Sequence, residues 1–494
     1  MRTTKKASAT DVNSKMARFA GGAPLRVVDL FSGCGGMSLG FQRAGYQILA
    51  GIEIDPKAAS THGCNFFGQA AQRDLAGHTQ VRDITELPPL LFTEEILGAD
   101  RPGDLVDVVI GGPPCQAFAR IGRAKLREIM NHPQAFLQDE RANLFVNFLE
   151  YVEWFRPLAV LMENVQDMMN YGGKNVAEEI ALSLRELGYI TSYTIVNSVF
   201  YGVPQMRQRL FLMAMLAELG TPPQFPGPTH FHEVPSGYDG AYQVALKTLD
   251  LLSYQGANFV APARPEHSMP PAVTARDALA DLPPIVSHLQ GKAARGVRSF
   301  NQLAKYRSDV VPSPYASEMR TWPGLESSDG VCDHVTRFLP RDFRIFARMK
   351  PGDQYPEAHQ LALDLFESAR SELAQSRGKH VPRGSPAYRI LKSAYVPPYD
   401  PAKFPNKWRK MEADQPARTL TAHIGKDTYS HIHYDSSQAR VISVREAARL
   451  QSFPDGFEFT GPMNAAFRQI GNAVPPLLAF HMAAAIKRLI QFAK

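Results

Sequence analysis

Between residues 25 and 215, short apolar runs alternate with stretches of helical periodicity, and this alternation restricts the chain more than any other feature. RVVDLF (26–31), ILAGIEI (48–54), VDVVIGG (106–112) and LAVLMENV (158–165) each read as a buried strand. Met37–Ala44 and residues 175–187 read as helices, as does the segment that places Leu144, Phe145, Phe148, Leu149 and Val152 at helical spacing. YITSYTIVN and RLFLMAM follow as two more strands. Strand and helix in turn predict an α/β fold, a mostly parallel sheet covered by helices on both faces.

At 494 residues the chain exceeds one ordinary domain. The pattern changes near residue 217, where TPPQFPGPTHFHEVPSG is rich in Pro and Gly and marks a connection. The expected organisation is a loosely ordered tail over 1–23, a first part of the main domain over 24–217, a separate irregular module over 218–464, and a C-terminal helix over 465–494 that returns to the main domain. No apolar run reaches the ~20 residues of a membrane span, so no membrane partner is expected. The four cysteines, at 34, 64, 115 and 332, form no CxxC pair and no zinc pattern. That argues against a disulfide framework and for a reducing, cytoplasmic setting. A formal net charge of +6 permits a polyanionic partner without requiring one.

The first strand runs into Phe31-Ser32-Gly33-Cys34-Gly35-Gly36, where glycines let the backbone turn tightly and approach a ligand. Glu53, with Ile54 after it, stands where an acid accepts hydrogen bonds from ribose hydroxyls. Asp83, with Ile84 after it, is expected to follow a third strand and to suit an adenine amino group. Ser38 occupies the place of the third glycine of a dinucleotide fingerprint, and no Gly-Lys-Ser/Thr ending is present. A nucleoside without a pyrophosphate fits this pocket, and S-adenosylmethionine (SAM) is one.

GGPPCQAF (111–118) is the most informative segment. A lone cysteine ordinarily packs as a small buried hydrophobe, the reading adopted for Cys34, Cys64 and Cys332. A Pro-Pro-Cys turn instead presents Cys115 at the carboxyl end of a sheet, where ligands collect in open α/β folds. MENV (162–165) puts Glu163 at another strand end, and VPQMRQRLF (203–211) alternates Gln205, Arg207 and Arg209 along one face of an extended segment.

DLFSGCGGMSLGF, GGPPCQAF, MENV, VPQMRQRLF, ARTLTA and RQIGNAVPPLLA, in this order, resemble the motifs of the DNA (cytosine-5) methyltransferase family in its bacterial, restriction-modification or phage-defence form. The resemblance implies a Rossmann-like SAM-dependent methyltransferase domain with a large inserted, irregular target recognition domain. It implies Cys115 as the nucleophile on carbon 6 of a flipped-out cytosine in double-stranded DNA. Glu163 would contact N3 and the exocyclic amine, Arg209 the O2 atom, and Arg207 the cysteine loop. Phe31, Gly33, Gly35, Gly36, Glu53, Ile54, Asp83, Ile84, Pro113, Asn472 and Val474 would hold SAM. The stretch 117–138 would close over DNA, with Gln116, Arg120, Arg123 and Gln205 as contacts; Ala119 stands where many members have Ser. Arg337, Arg341, Arg344 and Arg348, about one helical turn apart, suit phosphates. Lys407 and Arg409, interleaved with Phe404 and Trp408, suit the same role. Thr419 and Thr421 would buttress the DNA cleft. His423, His431 and His433 lack supporting cysteines, so no metal is expected. The chain is expected to be a monomer, with association to a restriction or defence system possible in principle.

Three rivals compete with this reading. An RNA cytosine-5 enzyme of the tRNA-specific branch would carry a Cys-Phe-Thr segment, which is absent. An enzyme acting on an exocyclic nitrogen would carry an aromatic residue after Asp/Asn/Ser-Pro-Pro, where this chain has Cys115. A silent DNA-binding subunit would have lost Cys115, Glu163 or the arginines.

Overall fold

A computed structural model describes residues 6–68, 78–114, 143–170, 175–238, 258–291, 302–378 and 380–493, together with 240, 242–244 and 249. The chain divides into two compact units. The first comprises Met1–Ala272, Glu458–Thr460 and Ala473–Lys494, and the second Val273–Phe457 and Gly461–Asn472.

The first unit begins with a helix, not with the loosely ordered tail expected over 1–23. α1 (Ala9–Ala20) opens on a capping box in which Ser8 and Asp11 satisfy each other's backbone amides. Its inward face carries Val12 and Lys15. The Lys15 stem is buried, and its Nζ donates to the carbonyls of Phe155 (2.7 Å) and Arg156 (3.0 Å). A polar composition concealed this face because a lysine can bury its methylenes and spend its ammonium on helix-end carbonyls.

Then follow β1 (Arg26–Leu30), α2 (Gly36–Arg43), β2 (Gln47–Ile52), α3 (Pro56–Phe67), α4 (Pro89–Glu95), β3 (Val108–Gly111), α5 (Asn143–Phe155), β4 (Ala159–Asn164), α6 (Val176–Glu186), β5 (Tyr189–Asn197) and β6 (Gln208–Leu216). The six strands form one sheet in the order β2-β1-β3-β4-β6-β5. β2, β1, β3 and β4 run parallel, whereas β6 is antiparallel to both its neighbours. Val27, Val28, Val108, Val109, Val160 and Leu161 are fully buried, as befits central strands covered on both faces. Leu30 pairs with Ile52 and Gly111, and Gly111 with Met162, so the parallel strands end level with one another. The Gly-rich turn, the Gly-Gly-Pro-Pro turn and Glu163 therefore leave the sheet along one carboxyl edge, where open α/β sheets bind ligands.

The second unit includes α7 (Ala275–Leu279), α8 (Pro314–Arg320), α9 (Phe343–Phe346), α10 (Tyr355–Arg377), α11 (Pro386–Tyr395), α12 (Val444–Leu450) and α13 (Met463–Asn472). Weak periodicity concealed a real core: Phe346, Tyr355, Ala362, Phe366, Trp408, Ile432 and Val441 are buried together. Trp408 stacks on Tyr429 with ring centroids 4.6 Å apart.

Two expected boundaries move. Residues 218–272 belong with the first unit. The single C-terminal helix expected over 465–494 is two, α13 and then α14 (Pro476–Gln491), and only α14 belongs to the first unit. Pro475 and Pro476 end one helix and start the other, because proline has no amide to continue a helix yet suits a first turn. α14 packs on α2 at Gly40, where a β-carbon would sit 2.6 Å from the Pro476 carbonyl oxygen. Met463–Gln491 has the length and apolar composition of a membrane span, but most of it is buried within the protein.

Candidate active site

The turn after β1 is built from left-handed backbone: φ is 64° at Phe31, 54° at Gly33 and 97° at Gly35. Such values suit glycine and strain Phe31. The Glu53 carboxylate ties this turn to the end of β2. One oxygen accepts from the Gly33 amide (2.8 Å) and the other from the Asp55 amide (2.7 Å). A carboxylate offers about four acceptor positions, so capacity for two ribose hydroxyls is left. Burial raises the Glu53 pKa, with those amides acting against it. Beside it Ile54 is 61% exposed, an apolar surface of the kind a nucleobase face covers.

Among the described residues, no strand leads directly into Asp83. One amide, Arg82 N–H to the Glu53 carbonyl (2.9 Å), fastens the segment. Asp83 accepts from the Thr85 amide (2.9 Å) and hydroxyl (2.7 Å), and Ile84 is buried. Ser38 does more than replace a glycine. Its hydroxyl donates to buried Asp29 at 2.6 Å and lies 3.1 Å from His62 Nε2. Burial pushes Asp29 up to about 7 and His62 down to about 3, which leaves His62 neutral at physiological pH. Sequence reasoning missed Asp29 and His62, since neither forms a local pattern. Asn472 is exposed in the second unit, whereas Val474 is buried in the first.

On the chemical side, strand register brings two motifs together. Glu163 lies opposite Phe211 in the β4–β6 pair, and Arg209 is two residues before Phe211 on the same face. Arg209 Nε reaches Glu163 Oε1 at 3.0 Å. Burial raises the Glu163 pKa, and Arg209 followed by Arg207 pulls against it. A β-carbon on Gly112 would meet Glu163 Oε2 at 3.4 Å, so the Gly112-Pro113 backbone runs beside that carboxyl group. Pro113 is buried, and its carbonyl accepts from Asn164 Nδ2 at 2.7 Å. Cys115, Gln116, Arg120 and Arg123 lie outside the described residues.

Asn164 was not among the expected site residues, although a signal existed. Pro113 and Pro114 carry no N–H, so the turn can be held from outside only through its carbonyls, which require a donor. The neighbouring Asn of MENV is such a donor, and its Oδ1 is in turn fixed by the Val165 amide at 2.8 Å.

Gln205, expected to contact DNA, and Arg207, expected near the cysteine loop, both turn inward. Both are buried, in a segment where Ser198 Oγ donates to the Gln205 carbonyl (2.8 Å) and the Arg207 amide to Asn197 Oδ1 (2.9 Å). A buried Gln205 is not placed to contact DNA in this conformation. Burial, then the Arg209 cation, lowers the Arg207 pKa.

Of the cations expected to meet phosphates, Arg344 and Arg348 are exposed, whereas Arg337, Arg341, Lys407 and Arg409 are engaged within the protein. Arg337, Arg341, Arg344 and Arg348 do not share a helix face, because only Phe343–Phe346 is helical. Pro340 interrupts the apparent periodicity. Arg337 donates to the carbonyls of Ile424 (3.1 Å) and Gly425 (2.8 Å) and to Asn464 (2.7 Å). Arg341 pairs with Asp342 at 2.6 Å, Lys407 with Asp427 at 2.8 Å, and Arg409 with Glu412 at 2.9 Å. Trp408 is a core residue, not a base-stacking surface. His431 and His433 are buried, and burial lowers them to about 4 and about 3. Of the cysteines read as buried hydrophobes, Cys34 is buried, Cys332 is half-buried and Cys64 is exposed.

Comparison with known proteins agrees with this geometry. The model of C-5 cytosine-specific DNA methylases matches residues 25–258 and 347–488. "Putative type II methyltransferase M.OihORF3336P" of Oceanobacillus iheyensis is 39% identical over 470 residues, covering 94% of this chain and 96% of the relative. Type II methyltransferase M.AgeI of Thalassovita gelatinovora is 30% identical over 481 residues, covering 94% and 99%. Among solved structures, a "putative DNA modification methyltransferase encoded within prophage" (E. coli) shares the fold, with a TM-score of 0.56 at 21% identity over 94% of this chain and 99% of that one.

Proposed function

The chain belongs to the C-5 cytosine-specific DNA methylase family and is a DNA cytosine-5 methyltransferase; from that premise we propose that Cys115 is its nucleophile, S-adenosylmethionine its methyl donor, and Glu163 with Arg209 the clamp on a flipped-out cytosine. The observation that carries this reading is the Glu163–Arg209 pair at the sheet's carboxyl edge, against Gly112 and three residues before Cys115 in sequence.

Carbon 5 of cytosine is too electron-poor to attack an alkyl sulfonium. Addition of the Cys115 thiolate to carbon 6 converts the ring to an enamine, and carbon 5 becomes nucleophilic. Charge then builds at N3. A Glu163 carboxyl whose pKa is raised by burial can hold a proton and deliver it there. Arg209, beside it, can hold O2. Bound in the turn of Phe31, Gly33, Gly35 and Gly36, SAM supplies an electrophilic methyl group. Glu53 has the free acceptor positions for its ribose, Ile54 the apolar face for its base, and Asp83, Ile84, Pro113 and Val474 complete the pocket. Loss of the carbon 5 proton to water and of the thiolate from carbon 6, with the N3 proton returned to Glu163, restores aromaticity and frees Cys115.

The second unit serves as the target recognition module. Gln116, Arg120 and Arg123 act on the DNA side of the cysteine loop. The type II names of its relatives support a modification role, and we propose that the chain acts as a monomer in the cytoplasm, beside a restriction or phage-defence system.

Bisulfite sequencing of plasmid from cells expressing the protein tests the activity and reports the target; uniformly converted cytosines would refute it. Purified protein should form a denaturation-resistant adduct with duplex DNA carrying 5-fluorocytosine at that target, because fluorine at carbon 5 cannot leave as a proton does. Free protein after confirmed binding would eliminate the covalent route.

Asn164 is a positioning residue in this scheme. Asn164→Asp keeps the shape, removes the donor and sets a negative charge against the Pro113 carbonyl. Leaving a buried acceptor unpaired costs roughly 1–3 kcal/mol, so kcat and the trapping rate should fall about 10- to 100-fold, with KM for the methyl donor unchanged. A kcat within twofold of the parent would dismiss this role.

A further inference from the structure

The second unit carries a helical hairpin whose outer side has no established role. α10 turns Tyr355, Ala358, Ala362 and Phe366 into the core. α11 leans on it through Tyr388, Leu391 and Tyr395, with Tyr388 edge-on to Phe366 at 5.1 Å between centroids. None of the residues of α11 is buried. Beneath its outer side lies a cleft of about 500 Å³ lined by His359, Arg389, Lys392, Ser393, Tyr399 and Asp400.

The charge here is one-sided. Residues 378–403 contain five Lys or Arg and a single carboxylate, Asp400. Arg383, Lys392 and Lys403 are exposed, and among the described residues none of them is paired with a carboxylate. Arg389 is exposed as well and spends one guanidinium nitrogen on the Gly384 carbonyl at 3.3 Å. This contrasts with Arg337, Arg341, Lys407 and Arg409, whose charges are already satisfied within the protein. Arg389 and Lys392, three residues apart on α11, line the cleft together, with Arg383 and Lys403 exposed on the flanking segments, and such uncompensated cations match a polyanion whose charges recur along a backbone.

We propose that the outer face of α11 and the cleft beneath it form a binding surface for the phosphodiester backbone of duplex DNA, made by Arg383, Arg389, Lys392 and Lys403. This rests on the reading of the protein as a duplex-DNA methyltransferase. The surface is indifferent to sequence, because a phosphate carries no base identity. It fixes the second unit's position on the duplex and leaves readout to other groups.

The test is fluorescence anisotropy of a labelled 30-base-pair duplex with the full-length protein, titrated at several NaCl concentrations. The comparison is with a variant carrying Arg383→Gln, Arg389→Gln, Lys392→Gln and Lys403→Gln together. All four side chains are exposed, and unchanged binding of SAM would verify that the variant is folded. Each phosphate left without its cation lowers the slope of log K against log salt by about 0.9, so three or more such phosphates lower it by about 3 and weaken binding roughly 100-fold near 0.15 M salt. A slope within about 0.5 of the parent's would overturn the proposal and leave the cationic face to solvent or to a protein partner. A parent protein that binds no duplex in the same assay would instead sink the reading on which the proposal rests.

Discussion

Cys115→Ser protein is expected to bind duplex DNA and SAM like the parent and to leave the DNA unmethylated. A thiol reaches its thiolate near neutral pH when a cation or dipole assists, whereas a serine hydroxyl does not ionise there. The hydroxyl also lacks sulfur's nucleophilicity, so carbon 6 is not attacked and carbon 5 never becomes electron-rich. Removing a covalent nucleophile costs on the order of 10⁴-fold or more in rate. Incorporation of labelled methyl into target DNA reads this directly, and anisotropy on the same preparation shows that binding survives. Turnover within about 100-fold of the parent would reject Cys115 as the nucleophile. The two readouts together separate chemistry from folding, because Pro113 and Pro114 set the turn whichever residue follows.

The second large effect is on stability, and it comes from a group no motif announced. Arg449 is fully buried between two carboxylates. It donates to Asp455 at 2.7 and 2.6 Å and to Asp281 at 2.9 and 3.1 Å. Arg320 also binds Asp281, at 2.5 Å. Arg449→Met leaves both carboxylates buried with one cation fewer, and breaking such a pair costs about 3–5 kcal/mol. Urea unfolding of the second unit, followed by Trp322 and Trp408, should shift to a markedly lower midpoint.

The variant should also weaken a pH dependence. Burial alone would raise the Asp455 pKa, but Arg449 more than offsets it and holds the carboxyl below its ordinary value of 3.8. In the parent this contributes stability that is present above 3.8 and lost as pH falls through the lower folded value. Without Arg449 only Arg445 and the Tyr306 hydroxyl still oppose burial, so the folded pKa of Asp455 rises and the stability it contributes above 3.8 shrinks. The gap between variant and parent should therefore be wider at pH 7 than at pH 4. A midpoint unchanged at both pH values would show that the network contributes nothing net.

What could be read directly was whatever the chain encodes within a few neighbours. The alternating apolar runs predicted all six strands of the sheet to within a residue or two, because central parallel strands are buried on both faces and show it as uninterrupted Val, Ile and Leu. The residues at the ends of those strands stood out for the same reason: a glutamate after VLM or a cysteine after two prolines contradicts its apolar context. Capping was equally local. Ser8-x-x-Asp11 marks the start of α1, whose polar composition hides the helix because its inward lysine buries its methylenes.

The cations were the least legible part. Arg337 and Arg383 look alike in sequence, each an arginine among loop residues. One is consumed by two carbonyls and an amide oxygen, and the other stands in solvent. A guanidinium's role depends on which acceptors arrive around it, and those acceptors come from residues far away along the chain. By itself the sequence determined the α/β class, the positions of the strands along the chain and, through its motifs, the family, since each rests on short-range patterns. Only the tertiary structure decided that Arg209 meets Glu163, that Asn164 holds Pro113 and that Arg337 and Arg341 are structural. Strand register and long-range packing choose partners by distance in space, which spacing along the chain does not encode.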